Sequence, residues 1–366
     1  MSPSPDNQSD NSKNTAATNF PFLQSTPRSV QLVYIDAGGG HRSAATALQT
    51  VIKNRFPRWD IKLLNLFEDV LRPIDLVHKI GHVPAEKIYN TMLGLNFTYG
   101  FTTGMRGLQK LIHLSAPKME DLLRKHWEQE TIKPDLVVSM IPHFNGIMFR
   151  ALHDANPGTP YVTVMTDIAD TPPHFWQEKQ DQFLICGSGA AIKQAETLGY
   201  RPEQLFKASG MILKPHFYEI PSNADKREER KKLHLDPDLP TAIIMFGGTG
   251  AIVSAKIVDR LNKSGIGAQS IVMCGHNEKL RKELADKEAC HPVGFTSDKV
   301  PYYMGLADFF IGKPGPVSIS EAVHMGLPVI LERNSKTMPP GKPRSLTGQT
   351  DPVPLGQFEI RLLLMK

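Results

Sequence analysis

Apolar positions along the chain fall into short β-branched runs, each followed by a stretch of helical spacing. Val30 to Asp36 is such a run, ends on an acidic residue and is followed by three glycines. Beyond them Ala45, Leu48, Val51 and Ile52 recur at helical intervals between Arg42 and Lys53. The pattern predicts strand, glycine loop, helix. Further strands are predicted at Ile61 to Leu66, Leu136 to Met140, Tyr161 to Thr166 and Gln182 to Ile185. Helical spacing separates them at Phe144 to Asp154 and Ala190 to Leu198, and residues 70–125 also read as helical. Strands alternating with helices predict a parallel sheet covered on both faces.

The pattern breaks over residues 220–240, where a charge-dense stretch, Asp225 to Lys232, is followed by DPDLP. This predicts an interdomain linker running into a helix. The alternation then restarts with a strand at Thr241 to Phe246, a glycine loop at Gly247 to Gly250 and a helix at Val253 to Leu261. Strands follow at Ser270 to Cys274, Phe309 to Ile311 and Pro328 to Leu331. The same device opens both halves, so the expected fold class is α/β with two Rossmann-like domains facing a cleft. The expected division is a disordered tail over 1–28, a first domain over 29–219, the linker over 220–240 and a second domain over 241–338. Residues 339–366 carry neither a helical nor a strand period.

A length of 366 residues agrees with two domains rather than one. The formal net charge of +5 permits an anionic partner without specifying one. Three cysteines occur, Cys186, Cys274 and Cys290, with no CxxC pair. Neither a disulfide framework nor a zinc site is expected, and a reducing compartment is. No run approaches the ~18 apolar residues of a membrane span, and the first twenty residues lack the basic and apolar regions of a signal peptide.

Three glycine-bearing turns carry the candidate chemistry. In DAGGGHRSAA, Gly38, Gly39 and Gly40 let the backbone approach a ligand closely, and the helix that follows turns its unpaired N–H groups toward the loop. His41 stands at its mouth, where an imidazole can accept a hydroxyl proton near neutral pH. A plain tight turn with an exposed histidine explains the same residues. In FGGTGA, Gly247, Gly248, Thr249 and Gly250 again end a strand and open a helix, which suits phosphate oxygens. In GKPGPVSISEA, Gly315 and Pro316 form the turn, Ser318 can cap the helix or touch phosphate, and Glu321, placed in the first helical turn, can accept both hydroxyls of a ribose. A capping box, Ser318-x-x-Glu321, is the other explanation.

DAGGGHRSAA, VMTDIADTPPHFW, FGGTGA, CGHNEKL, VGFTSDKVPYYMGLADFFIGKPGPVSISEAVHMGLPVIL and ERNSKTMP together resemble the monogalactosyldiacylglycerol synthase and processive diacylglycerol glucosyltransferase group, a glycosyltransferase family 28-like group. The likeness spans about Val30 to Pro339. It implies a GT-B fold, an inverting transfer of a hexose from a UDP-sugar to diacylglycerol or a related lipid, and no metal or other cofactor. By position, His41 matches the glycine-loop histidine, a candidate base. Gly247, Gly248 and Thr249 match the donor-phosphate loop, and Phe295 the residue whose backbone meets the uracil. Ser318 matches a phosphate contact and Glu321 the ribose carboxylate. Asp167, after the strand ending at Thr166, is a second candidate base or a strand-end cap. His143 either lines the same cleft or is structural.

A diacylglycerol acceptor stays in its bilayer, so the enzyme must come to it. Residues 70–116 interleave apolar Leu76, Tyr89, Phe97 and Phe101 with basic Arg72, Lys79, Lys87 and Arg106. They read either as a surface for anionic lipid or as core with a solvated basic face. The expectation is a cytoplasmic protein, peripheral on the inner face of the membrane, with no nucleic-acid partner. Relatives continue from MP into a Gln-Glu pair that meets the sugar, and then into a helix returning to the first domain. Here Met338 is followed by Pro339-Pro340-Gly341-Lys342. One inserted base converts the former reading into the latter, so the second domain is expected to be cut short by a frame-shifted tail. A non-hydrolysing nucleotide-sugar epimerase, or an inactive nucleotide- or membrane-binding protein, is the alternative.

Overall fold

The computed structural model describes residues 26–36, 40–72, 101–170, 173–218, 223–248 and 250–331, with backbone alone for 101–113 and 223–225. The expectations placed on the tail over 1–28 up to residue 25, on most of the 70–116 surface, and on residues from 332 onward lie outside the described residues or their side chains.

The first unit is a six-stranded, all-parallel sheet in the order β2-β1-β3-β4-β5-β6. Its strands are β1 (Ser29–Tyr34), β2 (Asp60–Asn65), β3 (Leu136–Ser139), β4 (Tyr161–Val164), β5 (Phe183–Cys186) and β6 (Leu205–Lys207). Helices α1 (Gly40–Arg55), α2 (Phe101–Gln129), α3 (Asn145–Ala155) and α4 (Gly189–Thr197) connect and cover it. Successive side chains of β1 serve opposite faces. Val30 and Leu32 join the core under α1, whereas Val33 joins the core under α2 and α3 with Trp127, Phe144 and Met148. Gln31, a buried polar side chain inside β1, is satisfied. Its amide donates to Glu130 at 3.1 Å, and its oxygen accepts from the Trp127 indole at 2.8 Å.

The second unit is a five-stranded parallel sheet in the order β11-β10-β7-β8-β9. Its strands are β7 (Thr241–Met245), β8 (Gln269–Gly275), β9 (Cys290–Gly294), β10 (Phe309–Gly312) and β11 (Val329–Leu331). Helices α5 (Asn223–Lys232), α6 (Val253–Lys263), α7 (Glu278–Ala285), α8 (Val300–Leu306) and α9 (Pro316–His324) complete it. Central β8 is buried at every position, as a strand covered on both faces must be.

α5 lies in the stretch expected as linker, and it is bolted to the second unit. The buried Arg230 guanidinium donates to the Leu306 carbonyl from Nε at 2.9 Å and Nη2 at 2.7 Å, and pairs with Asp308 at 2.6 Å. Asp308 in turn accepts from the Thr241 amide at the start of β7. Leu213 and Phe217, upstream of α5, are also members of the second unit's core.

These two strand orders fix where ligands go. An open parallel sheet binds beyond the carboxyl ends of its strands, at the point where the order reverses. In the first sheet that point lies beside β1, between β1 and β3. In the second it lies between β7 and β10. The fold is α/β with two parallel sheets, and each reversal point carries a glycine turn. The two units meet there. A Cβ at Gly40 would stand 3.6 Å from Val317 Cγ2 in α9, and one at Gly210 would stand 4.0 Å from Ser320 Oγ.

Candidate active site

α1 begins at Gly40, so His41 lies inside its first turn rather than ahead of it. The His41 ring nitrogen Nδ1 is 2.7 Å from the carbonyl oxygen of Met140, just after β3. A carbonyl can only accept, so Nδ1 carries the hydrogen and the neutral ring keeps its lone pair on Nε2. Thr166 Oγ1 lies 3.2 Å from the same Nδ1. Burial holds the imidazole below the ordinary histidine range, against the negative charge of Asp167 and the bond to Met140, which both raise it. His41 is therefore neutral, and able to accept a proton, at pH 7.

Asp167 follows β4, and its Oδ2 accepts from the indole nitrogen of Trp176 at 2.7 Å. The Trp176 ring lies 5.9 Å from that of His41, tilted by 47°. The carboxylate that ties this loop together is Asp170, which accepts from the backbone amides of His174, Phe175 and Trp176 at 2.7 to 2.9 Å. His143 adopts a left-handed conformation, φ +68°. It donates its backbone N–H to the Phe175 carbonyl at 2.7 Å and sets its ring edge-on to Phe175 at 3.9 Å. It supports the loop that carries Trp176. Gly38 and Gly39 lie outside the described residues.

In the second unit, Gly247 and Gly250 have φ of +94° and +61°. A Cβ at Gly250 would collide with the Cys274 carbonyl, so this position needs glycine for space as well as for conformation. The Gly248 carbonyl accepts from the His276 amide at 2.8 Å. The His276 ring stacks on Phe295 at 3.9 Å and 16°. Phe295 is 56% exposed and lies against Gly248, whose Cβ would meet the ring at 3.6 Å. Thr249 lies outside the described residues.

Because β10 adjoins β7, the turn after β10 comes to the same place. A Cβ at Gly247 would sit 3.2 Å from Lys313 Nζ, and burial lowers the Lys313 pKa. Lys313 was not singled out in the sequence, although it stands in the GKPG turn after a strand. Gly315 is the N-cap of α9 and Pro316 its first residue. Ser318 is therefore in the first turn and makes no cap, and Glu321 lies in the second turn, not the first as expected. Proline fixes the start of this helix because its missing N–H costs nothing at that position. The capping-box explanation for Ser318 and Glu321 is thereby removed. Burial pushes the Glu321 carboxyl up to about 7, against the nearby positive charge of Lys214. Lys214 also lies 3.7 Å from Asp298. Among the described residues, no group of three His, Cys, Asp or Glu side chains gathers to hold a metal ion.

Comparison with known proteins bears on this geometry. Curated relatives include the "Probable monogalactosyldiacylglycerol synthase 2, chloroplastic" of Oryza sativa subsp. indica, 28% identical over 324 residues that cover 83% of this chain and 66% of that protein. The monogalactosyldiacylglycerol synthase 1 of Arabidopsis thaliana is 26% identical over 326 residues, 83% of this chain and 58% of that protein. The chloroplast synthase of Spinacia oleracea is 27% identical over 327 residues, 84% of this chain and 59% of that protein. This chain resembles the monogalactosyldiacylglycerol synthases. The likeness read from short motifs thus runs along most of the chain, while the chain spans less than two thirds of the length of those relatives. No protein-family profile matches it. Among solved structures, Anabaena HepE in complex with UDP and glucose is similar at a TM-score of 0.49 and 16% identity, over 83% of this chain and 80% of that one. The "putative UDP-N-acetylglucosamine 2-epimerase from Listeria monocytogenes" is similar at 0.48 and 13% identity, over 84% of this chain and 80% of that one.

Proposed function

We propose that this chain transfers a hexose from a UDP-sugar to the free hydroxyl of diacylglycerol or a related lipid, with inversion at the anomeric carbon. The observation that carries the reading is His41, a neutral imidazole whose hydrogen is committed to Met140, on the helix that meets α9 of the nucleotide-side unit. Its Nε2 accepts the proton of the acceptor hydroxyl, whose oxygen attacks the anomeric carbon. Asp167 supplies negative charge to the imidazolium that forms. The bond from the anomeric carbon to the β-phosphate oxygen breaks, and its electron pair leaves with UDP.

The charge on that leaving group is met by the N–H groups of the Gly247 turn, by the start of α9 and by the Lys313 ammonium. These supply what a divalent cation supplies elsewhere, so the reaction is proposed to run without a metal or other cofactor. Glu321 receives the ribose hydroxyls, Ser318 a phosphate oxygen and Phe295 the base, and Gly40 keeps the first helix close to the donor. The likeness to lipid galactosyltransferases supports a lipid acceptor reached at an anionic membrane surface, from the cytoplasmic side.

Release of UDP from UDP-galactose and UDP-glucose, measured with and without diacylglycerol vesicles and in the presence of EDTA, tests the reading. Lipid-dependent, EDTA-insensitive release with a new glycolipid supports it. Release or isomerisation indifferent to lipid removes it in favour of an epimerase.

A further inference from the structure

Trp176 is fully buried, and a buried indole N–H needs a hydrogen-bond partner. Here the partner is a carboxylate, Asp167 Oδ2 at 2.7 Å. That carboxylate acts on His41, to which the indole ring itself is a neighbour at 5.9 Å. The indole is in turn immobilised from behind. Asp170 accepts from the Trp176 amide at 2.7 Å, and Gln194 on α4 holds Asp170 by both backbone groups, at 2.8 and 3.0 Å.

We propose that Trp176 is a positioning residue for the proton-accepting histidine: its indole N–H holds the Asp167 carboxylate in one place beside His41, so that the carboxylate charge is available to the imidazolium. A carboxylate in a loop gains freedom when its indole donor is removed, and it then favours water over a half-buried site. Among the described residues, the charged and polar groups that face His41 come from the packed elements as follows. Asp167 and Thr166 come from the end of β4 and Met140 from the end of β3. On its own helix, Arg42 pairs with Asp36. Loss of the indole donor therefore acts on His41 through Asp167.

The role in turnover rests on the function proposed above, whereas the effect on the imidazole does not. In the full-length chain, Trp176→Phe keeps an aromatic ring and removes the N–H. The His41 titration, followed by 15N NMR of the ring without substrate, is expected to move to lower pH by about half a unit or more. Asp167→Asn is expected to move it in the same direction, and Trp176→Phe to add nothing in the Asp167→Asn background. With substrate, kcat is expected to fall about threefold to tenfold with the acid limb of the profile moved alike, and the KM for donor to stay within twofold. If Trp176→Phe is unstable, 3-benzothienylalanine at the same position keeps the bicyclic shape without the donor and takes its place. An unchanged His41 titration, or full additivity with Asp167→Asn, overturns the proposal. Absence of glycosyl transfer together with the expected NMR shift would instead count against the function and leave this inference standing.

Discussion

The carbonyl of Met140 lies 2.7 Å from Nδ1 of His41 and so decides which nitrogen of that ring holds the proton. A histidine on a glycine turn is an ordinary surface feature. A histidine whose Nδ1 hydrogen is committed to a backbone carbonyl, and whose charged form is disfavoured by burial, is prepared to act as a base through Nε2.

Removal of that base is therefore expected to slow transfer without weakening donor binding. His41→Ala should lower kcat by about a hundredfold to ten-thousandfold and leave UDP affinity, measured by calorimetry, within a factor of about three. The pH dependence has a definite sign. The folded-state pKa of His41 is depressed, so the base form is already present at the ordinary histidine pKa of about 6.5. kcat should stay level as the pH falls to that value and decline only below it. The same depression makes the buried neutral ring a source of stability above about pH 6.5 that is lost as the pH falls further, because the unfolded chain then binds the proton more readily.

How far such a site was readable beforehand depends on what kind of atom does the work. Central strands such as β1 and β8 are buried on both faces and appear in the sequence as mainly apolar runs, interrupted in β1 by Gln31. Of the edge strands, β2 and β11 were legible as Ile61 to Leu66 and Pro328 to Leu331, whereas β6 and β9 escaped. β6 has three residues with Phe206 exposed, and β9 reads Cys-His-Pro-Val-Gly with no apolar run. Pro292 is admissible there because an edge strand can spare the N–H. Glycine turns were readable because only glycine suits their backbone, as Gly250 shows. The Met140 acceptor is a backbone carbonyl and leaves no trace in a residue name. Lys313 meets Gly247 only because β10 inserts beside β7, a fact of strand order that no local pattern contains.

Lys313 gives the second expectation. Its ammonium lies against the Gly247 turn, and burial already disfavours its charge. An approaching diphosphate would restore that charge and gain a charge-assisted hydrogen bond. Lys313→Met should weaken UDP binding by about tenfold or more, flatten its dependence on salt, and leave uridine binding unchanged. Calorimetry with both ligands at two ionic strengths checks it. Equal losses for UDP and uridine would mean that the lysine is supporting the fold instead.

Gly250 and Gly315 make a matched pair for stability. Gly250 sits at φ +61° with the Cys274 carbonyl where a Cβ would go, while Gly315 is at φ −85° with no atom within 4 Å of that position. Gly250→Ala should cost on the order of 1–3 kcal/mol from the strained conformation alone, with displacement of the carbonyl added. Gly315→Ala should be nearly neutral for the fold, since a Cβ there meets nothing. Urea unfolding of both variants in parallel separates them, and a stable Gly250→Ala protein would mean that the turn rearranges.

Glu321 carries the last expectation, because burial raises its carboxyl to about 7. Between the ordinary carboxylate range and pH 7 the folded protein holds a proton there that the unfolded chain has lost. The stabilisation this represents is complete below about pH 4.3 and disappears as the pH rises through 7. Ribose hydroxyls that donate to the carboxylate reverse the balance by favouring its charged form. UDP binding is then expected to release protons when measured near pH 6.5, and to tighten as the pH rises through 7. Glu321→Gln keeps the shape but loses the ionised acceptor. It should abolish the proton release and weaken UDP by about tenfold, roughly the worth of one charge-assisted hydrogen bond. 2′-deoxy-UDP should lose less, because it offers one hydroxyl fewer to the same group. Calorimetry in two buffers of different ionisation enthalpy reads the proton count directly, and equal counts for the parent protein and Glu321→Gln would detach this carboxylate from the nucleotide.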